Sequence, residues 1–116
     1  MANIISQIIS NILIKRKIID YSIILVEDKP NIENMSDKKL FIVGGKGYSK
    51  WAYMKCPCGC KEILTLSLMK KHNPSWTIKV DKLNRATLYP SIWKEDGCRS
   101  HFWIRKGKLI WAKSEY

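Results

Sequence analysis

Four cysteines and a histidine fall in two tight clusters, Cys56-Pro-Cys58-Gly-Cys60 and Cys98-Arg-Ser-His101. Thiolates and imidazoles are the ligands Zn²⁺ prefers, and a structural site takes four of them in a tetrahedron. The clusters lie about forty residues apart and offer five donors, so the spacing predicts one ion tying two distant turns together. A disulfide framework fits less well. Alternate residues of an extended chain point their Cβ atoms the same way but too far apart for unstrained bridging. Pro57 and Gly59 permit a tight backbone path along which neighbouring sulfurs can converge. Two partitions fill four coordination positions. In one, His101 ligates with Cys98 and two of Cys56, Cys58 and Cys60. In the other, all four cysteines close the shell and His101 is left free for chemistry. Both stay open.

The elements that must position these turns read mostly as strands. Residues 18–26 form an apolar run of strand composition, and 27–39 a polar loop. Residues 40–43 make a second strand, stopped by Gly44-Gly45-Lys46-Gly47. That cluster lacks the G-K-[ST] ending of a phosphate loop and reads as a hairpin turn. Residues 51–55 run into the first cysteine cluster. Residues 63–68 and 76–80 alternate at period two, as half-buried strands do. Residues 86–93 form a strand interrupted by Pro90. The pair 102–105 and 108–111 flanks Lys106-Gly107 as a closing hairpin. About seven short strands with regular turn signals predict an all-β fold, a small zinc-stapled sandwich or partly open barrel. Core packing is the expectation for Trp51, Trp76, Trp93, Trp103 and Trp111. His72, in Lys-Lys-His-Asn-Pro, reads as a surface histidine.

Ahead of the strands, Ile4, Ile5, Ile8, Ile9, Ile12 and Leu13 recur at helical spacing, and Lys15, Arg16 and Lys17 follow where a helix C-terminus favours cations. Residues 1–17 are thus expected to be a short amphipathic extension, and 18–116 one zinc-binding β domain. The polar face of that helix carries no lysine, which favours packing on the domain or a second copy over a membrane surface. The basic trio also ends the apolar opening before it is long enough to span a bilayer. The opening residues have no leading positive charge and no small-residue cleavage site. A cytoplasmic protein is expected, and a reducing compartment again favours metal over disulfide.

The net charge of +11 permits attraction to phosphate or to acidic protein surfaces without choosing between them. Lysine outnumbers arginine seventeen to four and is matched by seventeen isoleucines, the bias of an AT-rich coding sequence. Arginine, the usual reader of base edges, is scarce. Nucleic acid is not the favoured partner.

The order Cys56-Pro-Cys-Gly-Cys60, Trp76, Leu88-Tyr-Pro-Ser-Ile92, Cys98-Arg-Ser-His-Phe-Trp-Ile104, Gly107 and Trp111 resembles a bacterial domain-of-unknown-function family. Its members are small zinc-binding proteins encoded beside ubiquitin-like proteins and E1- and E2-like conjugation enzymes. The resemblance covers residues 40–112 and implies a metal site, partners in a ubiquitin-like pathway and a role as its peptidase.

Two hydrolytic routes can be drawn on these residues. A serine route takes Ser91 as nucleophile, His101 as general base and Asp96 or Glu95 to hold the imidazole. Zinc is then a four-cysteine structural ion. A metal route leaves one coordination position to water, with Glu62 or Glu95 as base. Three thiolates blunt the acidity of zinc, so the serine route ranks first. The expected function is a processing or deconjugating peptidase for a ubiquitin-like protein. The runner-up is a non-catalytic zinc adaptor that docks E1- or E2-like enzymes.

Overall fold

Strands form where apolar residues alternate with polar ones, because that pattern buries one face of a pleated ribbon and wets the other. The structure, a computed structural model, describes residues 4–31, 37–45, 47–95 and 97–112. Among these a short helix, α1 (Ile4–Lys15), precedes eight strands. β1 (Ser22–Val26), β2 (Lys39–Gly45), β3 (Tyr48–Lys55) and β4 (Ile63–Ser67) form one sheet in that order. β5 (Thr77–Val80), β6 (Ala86–Trp93), β7 (His101–Arg105) and β8 (Lys108–Trp111) form the second, also in chain order. Every pairing is antiparallel except β1 with β2. The fold is all-β, with neither sheet closed into a barrel.

The core lies between the sheets. Ile23, Leu40, Ile42, Met54, Leu64 and Leu66 from the first meet Leu88, Ile92, Phe102 and Ile104 from the second. Burying each such side chain is worth roughly 1.5–3 kcal/mol, so the shared layer holds the sheets together. The glycine cluster does join β2 to β3 as a hairpin, but Gly44 and Gly45 extend β2 and pair with Ser49 and Tyr48, and Lys46 lies outside the described residues. Residues 51–55, expected only to lead into the first cysteine cluster, belong to β3, which starts at Tyr48.

Trp76 packs against the inter-sheet core and Trp51 against a second cluster of Phe41, Val43 and Tyr53, but none of the tryptophans is fully buried. Trp93 and Trp111 are 57% and 49% exposed, and Trp51, Trp76 and Trp103 are half-buried. Aliphatic residues already fill the narrow space between the sheets, which pushes the bulkier rings to its rim and outer faces. His72 is not a free surface side chain either. Its Nδ1 lies 2.6 Å from the Ser67 hydroxyl, and its ring packs at a tilt on Trp51.

α1 docks through polar groups as well as apolar ones. Gln7 Nε2 donates to the Ile23 carbonyl at 3.2 Å, and Asn84 Nδ2 donates to the buried Ser10 hydroxyl at 3.0 Å. Ile9, Leu13 and Ile14 are half-buried, whereas Ile4, Ile5, Ile8 and Ile12 stay exposed, so the isoleucine stripe does not pack on the sandwich as a whole. No helix among the described residues is long and apolar enough to cross a membrane.

Beyond α1 the chain is clamped by the β7–β8 turn. The Asp20 and Tyr21 N–H groups donate to the Gly107 carbonyl at 2.7 and 3.0 Å. Gly107 has a φ of 77°, a left-handed conformation that costs other residues, and a Cβ there would fall 2.6 Å from Cγ2 of buried Ile19.

Candidate active site

Pro90 has no N–H to give a sheet ladder, and β6 departs from β7 around it. The pairing runs Leu88 to Ile104 and then Ile92 to Phe102, so Tyr89, Pro90 and Ser91 lie opposite Trp103 alone. Such a bulge re-aims the side chains at its ends, and bulges concentrate at active sites for that reason. Leu88 and Ile92 point into the core, while Ser91 and Trp93 take the other face. His101 stands opposite Trp93 in the register. Its imidazole stacks on the indole at 5.1 Å, with 17° between the planes. Fixed there, its Nε2 lies 2.8 Å from Ser91 Oγ, hydrogen-bond distance for a nucleophile and its base.

Ser91 borders a groove of about 810 Å³ between β4 and the C-terminal half of β6, lined in part also by Thr65, Trp76 and Trp93. Trp76 closes one end. Its backbone N–H donates to the Ser67 carbonyl of the first sheet at 2.7 Å, and its indole donates to the Ser91 carbonyl at 3.3 Å. Glu95 lines the same groove, and Glu62 is ion-paired with Lys94. Asp96 lies outside the described residues.

The cysteines gather on the neighbouring corner. The sulfurs of Cys56, Cys58, Cys60 and Cys98 all lie within 4.8 Å of one another, and all four are free thiols. Cys56 Sγ is 3.4 Å from Cys58 Sγ and 3.5 Å from Cys98 Sγ. A tetrahedron of thiolates about 2.3 Å from zinc has sulfurs about 3.8 Å apart, so these spacings fit one ion. Gly59, at a φ of 91°, turns the chain so that the Cys60 N–H donates to Cys58 Sγ at 3.3 Å. Burial pushes the Cys56 thiol up to about 12, despite a hydrogen-bond contact with Ser100 that works the other way. Hydrogen bonds from the Ser100 hydroxyl and then its backbone N–H pull Cys98 down to about 6. The sulfurs could therefore hold a metal ion, and His101 is turned toward Ser91 instead of joining their cluster.

Ser100, which the sequence reading passed over, connects the two sites. Its buried hydroxyl lies 3.1 Å from Cys98 Sγ and 3.5 Å from Cys56 Sγ, and its carbonyl accepts the Lys94 N–H at 2.8 Å. The next residue is His101, whose own carbonyl accepts the Ala112 N–H at 2.9 Å. The sulfur corner thereby anchors the strand that presents the imidazole. A small hydroxyl between a cysteine and a histidine was the available signal. For Trp93, the signal was its place two residues beyond Ser91 on one strand face.

No curated protein and no solved structure matches the chain. A family model does match, over residues 25–112, a span that takes in all four cysteines, Ser91 and His101; the chain belongs to that family, described as bacterial ubiquitination-like system serine protease (BubE).

Proposed function

We propose that this protein is a serine peptidase that processes or deconjugates a ubiquitin-like protein, with Ser91 as nucleophile, His101 as general base and a structural zinc on four cysteines. The observation that carries the reading is the 2.8 Å approach of Ser91 Oγ to His101 Nε2 at the wall of an open groove. With Nδ1 protonated, the Ser91 hydroxyl donates to Nε2 and can pass its proton there as Oγ attacks a carbonyl carbon. The protonated imidazole then gives that proton to the leaving amine as the C–N bond breaks, and an acyl ester remains on Ser91. Water, deprotonated by the same nitrogen, hydrolyses the ester and restores the pair. Asp96 is the carboxylate assigned to hold Nδ1. Cys56, Cys58, Cys60 and Cys98 would hold Zn²⁺, which supplies rigidity there. The four sulfurs lie within 4.8 Å of one another without His101, whose Nε2 is engaged with Ser91, and this favours that division of labour over water activation by the metal.

The test is cleavage of a ubiquitin-like precursor. Ser91→Ala and His101→Ala should each lower the rate about a thousandfold or more while zinc stays at one per chain. Normal cleavage by both variants would overturn the serine assignment and leave the metal route, whereas no cleavage by the unaltered protein would leave the adaptor reading.

A further inference from the structure

The groove beside Ser91 is walled by two runs of unpaired sheet edge. β4 is the outer strand of its sheet. Its pairing with β3 is bracketed by Cys56 N–H to the Glu62 carbonyl and Leu68 N–H to the Lys50 carbonyl. In an antiparallel ladder the bonding residues alternate, so Leu64 and Leu66 also face β3, and Ile63, Thr65 and Ser67 turn their N–H and C=O groups outward. The Ser67 carbonyl follows this rule, because it accepts the Trp76 N–H. Across the groove, β5 reaches only as far as Tyr89 of β6, leaving Ser91 to Trp93 uncovered on that side. Lys94 N–H bonds β7 through the Ser100 carbonyl, so the backbone of Trp93 faces the groove by the same alternation. The Ser91 carbonyl already faces that way, toward the Trp76 indole. Of the two charged wall residues, Lys94 is ion-paired with Glu62, and Glu95 is exposed past the end of β6. What the groove offers a ligand is main-chain hydrogen bonding.

We infer that the substrate binds as an extended chain segment added as a strand to the Thr65 edge of β4, read by its backbone more than by its side chains. This deepens the serine-peptidase reading and rests on it. Strand addition draws affinity from main-chain bonds at every second residue. It needs a segment that is unstructured before binding, such as a tail or linker of a folded protein, and Trp76 limits how far the segment can run past Ser91.

Three measurements test it. Labelling by a fluorophosphonate and hydrolysis of p-nitrophenyl acetate report the Ser91–His101 pair without needing main-chain hydrogen bonds from the β4 edge. Internally quenched peptides from a randomised library report extended-chain binding. Proline at an outward-facing edge position removes only the outward donor, so Thr65→Pro should keep labelling, ester hydrolysis and zinc content. It should lose tenfold or more in kcat/KM for peptides, and Thr65→Ala, which keeps the N–H, should lose little. With the unaltered protein, N-methylation of a cleaved peptide should abolish cleavage at alternate residues only. Labelling without cleavage of any library peptide overturns the inference, as does N-methyl tolerance without period two, or unimpaired peptide cleavage by a folded Thr65→Pro. Absence of both labelling and ester hydrolysis in the unaltered protein instead overturns the serine reading beneath it.

Discussion

Among the described residues two serine–histidine contacts are seen, and their surroundings separate them. Ser67 Oγ lies 2.6 Å from His72 Nδ1, closer than Ser91 lies to His101. Yet Ser67 is buried, and its oxygen also accepts the Met69 N–H at 3.2 Å, which is how a hydroxyl closes a local turn. A nucleophile needs a lone pair and a path to substrate, and Ser91 has the groove. Ser67→Ala should therefore leave cleavage of a ubiquitin-like precursor unchanged and cost about 1 kcal/mol in denaturant unfolding, the usual net value of one such bond. At this scale the sequence was informative in an uneven way. Cys56, Cys58, Cys60 and Cys98 declared themselves through rare, ligand-type side chains at short spacing. Ser91 and His101 could be named as partners, but the choice of His101 as ligand or base depended on which way one ring turns. That is decided by its stack on Trp93, a contact across two strands.

Among the elements, period-two alternation located the strands because each has one face on the core and one in water. It served least for β1, where an apolar run from residue 18 hides the switch from coil at Ser22. Nor could it place α1, because helical spacing reports a possible apolar face but not what meets it. The turns carry their own constraint. Gly107 sits in a left-handed conformation against Ile19 while its carbonyl holds two N–H groups of the segment entering β1. Gly107→Ala adds backbone strain and a collision with a buried side chain, together about 1–3 kcal/mol. The denaturant midpoint should fall accordingly with the slope unchanged. A midpoint equal to that of the parent would mean the turn relaxes freely.

For the whole molecule, the cysteine cluster matters because of where its members come from. Cys56, Cys58 and Cys60 lie between β3 and β4 of the first sheet, whereas Cys98 lies between β6 and β7 of the second. A bound ion would thus fasten sheet to sheet, and through Ser100 it would steady His101 without touching substrate. Stripping it with a chelator should lower the melting temperature by ~10 °C or more, since each kcal/mol is worth about 4–8 °C in a small domain. Labelling of Ser91 by a fluorophosphonate should fall in parallel, and zinc should restore both. Full labelling of metal-free protein would detach the corner from the Ser91–His101 pair. The division runs through the chain order as well: β1 to β4, all before residue 69, build one layer, and β5 to β8, all after residue 76, build the other. Sever that short connection and two fragments result, one bearing three sulfur donors and the β4 wall of the groove, the other bearing the fourth and Ser91. Their reunion would be a three-component event in which the cation is the matchmaker, the logic of a split enzyme switched on by metal supply.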